Sequence, residues 1–385
     1  MKVSMFVIFF SIVLLIYGLL NYLIFIRGLQ AFPVGNPYRA TYKWVFFVLS
    51  VSYIVARVLE RIWLSPVSDI FTWLGSFWLA AMIYFLLAVL LIDLVRLVNY
   101  FVPVYPGFVT ANYALTKIYL FASVVFLVVI TIIKGHINAV RPHITHLDLA
   151  VHKHAGTMKK LHIVMVSDIH MGTVIGPRRI AAMVKRINGL SPDLILIAGD
   201  AVDEDLAPVI RHNLGANLEN LKAPLGVYGI TGNHEYIGGA EAAVTYLRKH
   251  GINLLRDSVV LVNNSFYIAG REDRDRERFT GKKRKSVAAL LQDVDKSLPV
   301  ILLDHQPFQL GLAEEAGADL QLSGHTHHGQ MWPASYITKA IYELSYGYIM
   351  RGNTHFYVSS GYGSWGPPVR IGTRSEIVDI WLSFD

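Results

Sequence analysis

Five short stretches of this 385-residue chain combine carboxylate, amide and imidazole groups. "SDIH" carries Asp168 and His170, and "AGD" ends in Asp200. "GNHE" supplies Asn233, His234 and Glu235, "DHQP" supplies His305, and "SGHTHHGQ" holds His325, His327 and His328. Asp and Asn favour turns and helix caps, so any one stretch alone is ordinary loop chemistry. Five in a row need another explanation. Asp168, Asp200 and Asn233 offer oxygen ligands, and His170, His305, His325 and His327 offer imidazole nitrogens. The sequence has no cysteine, which rules out thiolate ligation. Two divalent cations about 3.5–4 Å apart need a bridging anion and several ligands each, and this inventory is sufficient. Mixed nitrogen and oxygen donors suit Mn, Fe, Zn or Co better than Ca or Mg.

Each polar stretch follows an apolar, β-branched run. Residues 161–167, 193–199, 225–231, 299–304 and 318–324 read as buried strands. Residues 177–190, 208–221, 240–250 and 286–296 read as helices between them. Asn263-Asn264 marks a hairpin, and the last fifty residues read as strands joined by Gly- and Pro-rich turns. The pattern predicts an α/β sandwich with strands in both layers. Sites on α/β sheets form at the carboxyl ends of strands, where all five polar stretches fall. In an extended segment alternate side chains share a face, which would aim His325 and His327 into one crevice and His328 elsewhere. The charged run 271–286 reads as a solvated loop.

The front third of the chain has a different character. The sequence is 53% hydrophobic and 16% charged, too apolar for an ordinary soluble protein. Four runs, 5–26, 44–64, 71–98 and 118–133, hold the excess and read as membrane spans. The first is longer than a signal peptide's apolar region and lacks its small-residue cleavage site. Arg57, Glu60 and Arg61 interrupt the end of the second, while Asp93 and Arg96 lie three apart and can pair. The expected organisation is a transmembrane domain over 1–134, a linker over 135–158 and a catalytic domain over 159–385. His136, His143, His146, His152 and His154 read as surface histidines of the linker. Lys and Arg nearly balance on the two sides, so the sequence sets no orientation. A net charge of +7 suits an acidic lipid surface or anionic substrates, and no nucleic-acid module is recognisable.

Taken in order, "DIH…GD…GNHE…H…GHTHHG" resembles the calcineurin-like metallophosphoesterase superfamily, over residues 160–385. "GDAVD", "GNHEY" and "SSGYGSWGPPVRIGTRSEI" look most like a bacterial branch of membrane-associated phosphodiesterases. That branch is similar to the UDP-2,3-diacylglucosamine pyrophosphatases of lipid A synthesis. The resemblance implies a four-layer α/β/β/α sandwich with two divalent metal ions at the strand ends. Asp168, His170 and His327 would hold one ion, Asn233, His305 and His325 the other, and Asp200 would bridge them. A hydroxide shared by the pair would attack phosphorus, with His234 protonating the leaving oxygen or stabilising its charge. Asp203 and Glu235 would orient imidazoles. Arg370 is a further candidate, for holding a substrate phosphate in a guanidinium fork, and His328 reads either as a plain surface histidine or as a rim residue touching substrate. The expected function is hydrolysis of a phosphodiester or pyrophosphate bond in a lipid-linked substrate, with membrane lipids as partners. The expected location is the bacterial inner membrane. A phosphomonoesterase, or a membrane protein with a non-catalytic metal-binding sensory domain, is the alternative. Retention of all eight core positions favours catalysis.

Overall fold

The computed structural model describes residues 3–385, in two compact units that divide between Lys134 and Gly135. The first unit comprises α1 (Val3–Leu29), α2 (Tyr38–Ile62), α3 (Pro66–Phe101), the short α4 (Gly107–Ala111) and most of α5 (Tyr113–Val140). Among the described residues three helices, α1 from Phe10, α3 and α5, are long and apolar enough to cross a membrane. This corrects the expectation of four. The run 44–64 is helical up to Ile62, but α2 carries Arg39, Lys43, Arg57, Glu60 and Arg61. Each such charge costs about 3 kcal/mol at a membrane-helix centre.

α2 packs on α3 through small residues, which allow close approach where lipid offers no hydrophobic gain. Ser52 and Ala56 are buried on α2, and Ser68, Thr72, Gly75 and Ser76 on α3. A Cβ on Gly75 would stand 2.5 Å from the Cα of Tyr53, so only glycine fits there. The charges on α2 are held in place. Thr72 Oγ1 donates to Glu60 at 2.9 Å, and Arg57 pairs with the same carboxylate at 3.1 Å. α3 opens on a Ser65–Ser68 capping box with Pro66 in its first turn.

The second unit is built on two six-stranded sheets. The first runs in the order β1 (His143–Val151), β12 (Glu376–Phe384), β2 (Lys160–Val166), β3 (Leu194–Ala198), β4 (Val227–Ile230) and β5 (Asn253–Leu254). The second runs β10 (Gly347–Arg351), β11 (Thr354–Val358), β9 (Leu320–Ser323), β8 (Val300–Leu303), β7 (Phe266–Gly270) and β6 (Ser258–Val262). Along β2, Leu161, Ile163 and Met165 face the other sheet and share a core with Ile268, Ile301 and Leu322. Val164 and Val166 turn the other way, onto Ile180, Met183 and Ile187 of α6 (Pro177–Leu190). On the far side, Val300, Leu302 and Phe356 pack on Val287, Leu290 and Leu310. The result is the four-layer α/β/β/α sandwich. Strands covered on both faces are apolar throughout, which is why they read clearly in the sequence.

Several expectations fail at the edges. Residues 143–151 are not linker: β1 pairs in parallel with the whole of β12, from His143 opposite Glu376 to Val151 opposite Phe384. An edge strand with one solvated face carries alternate polar residues and so resembles a loop. Its histidines meet carboxylates; His146 Nδ1 lies 2.7 Å from Asp379. The helix expected over 208–221 breaks into Leu206–Arg211 and Gly215–Leu218 around Asn213, at φ +49°. The one expected over 286–296 shrinks to Val287–Leu290. The charged run is not simply solvated either. Arg271, Glu272 and Asp273 are buried, and Arg271 and Arg284 both pair with Asp304 at 2.8 Å.

Candidate metal centre

β2 and β3 are parallel neighbours, with Val166 opposite Ile197, so their trailing loops leave the sheet together. The loops stay bonded beyond the strands: Asp168 N–H donates to Gly199 O and His170 N–H to Asp200 O, each at 3.0 Å. The backbone here is unusual. Asp168, His170, Asp200, His325, His327 and His328 all have positive φ, between +46° and +71°. A non-glycine residue in that region costs on the order of 1–3 kcal/mol. The surrounding sandwich must hold them, and such strain gathers at functional sites.

Two groups of donor atoms result. Asp168, His170 and His327 form one, and Asp200, His305 and His325 the other; a third set, His170, Asp203 and His234, overlaps the first, and within each the atoms lie within 4.8 Å of one another. In the first, the Nε2 atoms of His170 and His327 face each other at 3.1 Å, with Asp168 Oδ1 3.5 Å from His327. In the second, Asn233 Oδ1 lies 2.8 Å from His325 Nδ1 and 3.3 Å from His305 Nε2. Asp200 reaches both groups. Its Oδ2 is 3.1 Å from His305 Nε2 and 3.9 Å from His170 Nε2, while Oδ1 accepts the His234 N–H at 2.9 Å. Glycines allow this crowding. A Cβ on Gly199, itself at φ +89°, would sit 2.5 Å from the His305 ring, and one on Gly324 would sit 2.2 Å from Asp168 Oδ2.

The electrostatics favour ligation. Burial, reinforced by charge on His305, lowers His325 to about 3, and burial also holds His327 well below its usual value. Both imidazoles therefore stay neutral, with a lone pair to share. His305 goes the other way: burial opposes its charge, but the Asp200 carboxylate outweighs burial and raises it. Imidazole nitrogens facing each other at 3.1 Å, with carboxylates beside them, are the donor set a divalent cation satisfies. The residues fit a pair of such ions.

The remaining expected residues divide. Asp203 stands beside two imidazoles: its Oδ1 is 3.1 Å from His234 Nδ1, within hydrogen-bond reach, and 3.5 Å from His170 Nδ1. Glu235 orients no imidazole. Its carboxylate accepts the backbone N–H groups of Asp200, Val202 and Gly232, at 3.2, 2.8 and 2.7 Å. Arg370 is no phosphate fork, because its side chain is buried with 0% exposure. Its guanidinium donates to Gly361 O and Gly363 O and reaches His327 Nδ1 at 3.1 Å. The segment holding His325 and His327 is not extended, so side-chain alternation is not what aims them. His327–Gly329 is a 3₁₀ turn, and Thr326 Oγ1 accepts the His328 N–H at 3.1 Å. His328 meets Ser345 Oγ at 3.3 Å and the Tyr346 ring rather than either donor group.

Two further contacts have no signature in the sequence. Gln330 clamps the "GSWGPP" loop, donating to Trp365 O and Pro367 O at 3.0 and 2.9 Å and accepting Trp365 N–H at 2.9 Å. The Trp365 ring, 57% exposed, lies 6.3 Å from that of His234. Behind His305, Gln306 Nε2 donates to Asp273 at 2.9 Å, and burial raises that carboxyl to about 6.

A sandwich with these ligand groups at its strand ends defines a metal-dependent phosphoesterase architecture, and sequence comparison gives the same class. The calcineurin-like phosphoesterase family model matches residues 161–329. An uncharacterized metallophosphoesterase of Campylobacter jejuni is 31% identical over 387 residues, covering 97% of this chain and 97% of that protein. One from Helicobacter pylori J99 is 37% identical over 233 residues; the match covers 58% of this chain and 60% of the relative. A Danio rerio "transmembrane protein with metallophosphoesterase domain" is 31% identical over 268 residues, 64% of this chain and 59% of that protein. The chain belongs to the metallophosphoesterase family.

Proposed function

We propose that this chain is a membrane-anchored two-metal phosphoesterase hydrolysing a phosphodiester or pyrophosphate bond in a lipid-linked substrate, at a bacterial inner membrane. The observation that carries the catalytic part is the position of Asp200, whose one carboxylate oxygen reaches both donor groups. Asp168, His170 and His327 would hold one divalent cation, and Asn233, His305 and His325 the other. Mn, Fe, Zn and Co all suit these donors. Such a pair, when bound, lowers the pKa of water and offsets phosphate charge.

The proton chemistry belongs to His234. Asp203 accepts from its Nδ1, which leaves Nε2 to donate to the departing oxygen. Burial disfavours charge on this imidazole, but Asp200 and Asp203 outweigh it and raise the group to about 9. In the metal-free protein His234 therefore carries its proton at neutral pH. The lipid-linked part rests on the three apolar helices joined to the same chain, which keep the phosphoesterase unit where lipid headgroups are concentrated.

Full-length protein in detergent, loaded with Mn²⁺, tests the reading on three substrates: bis-p-nitrophenyl phosphate, p-nitrophenyl phosphate and UDP-2,3-diacylglucosamine. Faster turnover of the diester than the monoester is expected. The reverse order would favour a phosphomonoesterase. Metal-loaded protein that turns over none of the three would overturn the enzyme reading, and activity on the diester alone would leave the lipid part without support.

A further inference from the structure

Within the first unit, a cavity of about 290 Å³ lies among α1, α2, α3 and α5. Ile24, Phe46, Leu49, Trp78, Val89 and Val124 give it apolar walls. Four charged residues also line it: Arg27 near the end of α1, Asp93 and Arg96 in the last third of α3, and Lys117 near the start of α5. Charged side chains in membrane helices are expensive, and a set of them around one cavity asks for a ligand.

The charges do not balance. Arg27 Nε donates to Asp93 Oδ2 at 2.9 Å and Arg96 Nη1 to Asp93 Oδ1 at 3.3 Å, so one carboxylate serves two guanidiniums. Among the described residues, Asp93 is the only acid lining the cavity. The Lys117 ammonium lies over the Tyr113 ring, 5.3 Å from its centroid, with no carboxylate partner among the described residues. Three cations thus line the apolar cavity against one anion.

We propose that this cavity is a binding site for an anionic phospholipid, with one acyl chain along the apolar walls and the phosphate between Arg96 and Lys117. The walls exclude a bare inorganic anion as the intended ligand, because it would leave them facing water or void. The surplus of positive charge disfavours a zwitterionic lipid, whose ammonium group would return charge of the same sign. A guanidinium and an ammonium together suit a phosphate monoanion, and basic pockets between membrane helices recognise such headgroups.

The test uses delipidated full-length protein in detergent, titrated with phosphatidylglycerol, phosphatidylcholine or inorganic phosphate and read by native mass spectrometry and thermal unfolding. Phosphatidylglycerol is expected to stay bound and to raise the unfolding temperature, and the other two to do neither. The pair Arg96→Gln and Lys117→Gln should weaken phosphatidylglycerol binding by about tenfold or more. Val124→Trp should block the chain site with every charge in place. The charge-retaining pair Arg96→Lys and Lys117→Arg should still hold the lipid, which separates lost binding from lost fold. Equal retention of both lipids, full competition by inorganic phosphate, or unchanged retention in the Gln and Trp variants would overturn the site.

Discussion

Arg370 braces His327 from behind: its Nη2 lies 3.1 Å from His327 Nδ1, while His327 Nε2 faces His170 and Asp168. The guanidinium is itself fixed by Gly363 O at 2.7 Å and Gly361 O at 3.1 Å. It therefore sets the angle at which the imidazole enters the donor group. Arg370→Met should unfix the ring and the Gly361 and Gly363 carbonyls held beside it, and so lower metal affinity at this group. Metal content per chain, measured after dialysis, should fall. A residue that gripped substrate phosphate would instead raise KM and leave metal content intact.

Asp200→Asn tests the bridge. An amide keeps the shape and the bond from His234 N–H but removes the charge that two cations would share. Turnover of bis-p-nitrophenyl phosphate should fall by more than about 100-fold, with metal retention reduced, because a ligand matters at least as much as a residue that merely orients one. Membrane insertion should be unchanged. Retained turnover would remove Asp200 from its bridging role.

Metal uptake should compete with protons. Asp200 raises His305 well above 6.5 despite burial, so chelator-stripped protein carries a proton there at neutral pH. A protonated imidazole has no lone pair, and binding must expel the proton. The sign follows: metal affinity rises with pH and weakens as the solution is acidified. Mn²⁺ titration calorimetry in two buffers of different ionisation enthalpy should report proton release on binding. Equal heats in both buffers would show that His305 is already neutral.

The candidate donor groups were readable because their members follow strands buried on both faces, and Asp168, Asp200, His305 and His325 all stand where an apolar run stops. Short-range pattern could not supply the role of Arg370. Its partner His327 lies forty-three residues away in the chain, and an arginine near a phosphate site suggests phosphate until its burial is known. The same limit applies to β1, whose pairing with β12 joins residues more than two hundred apart. Its alternating polar residues describe a half-exposed strand and a loop equally well. The turn at His327–Gly329 escaped for a different reason. Three histidines in four positions suggest an extended comb, whereas the positive φ of His325, His327 and His328 is a cost that only the packed sandwich explains.

His234→Asn should separate proton donation from metal holding. Its Nδ1 is bound to Asp203 and its N–H to Asp200; it stands outside the two groups that Asp200 connects, in the set it forms with His170 and Asp203. Loss of a general acid typically costs about 10²–10⁴ in turnover. The loss should depend on the leaving group. A p-nitrophenolate departs with little help and should show the small end of that range, whereas an alkoxide from an alkyl phosphodiester needs the proton and should show the large end. Metal content should match the parent protein, and thermal stability should fall by about 1–3 kcal/mol, because a buried, hydrogen-bonded ring is lost. Equal losses on both leaving groups, together with lost metal, would make His234 a structural support of the donor groups and would take the proton from another source.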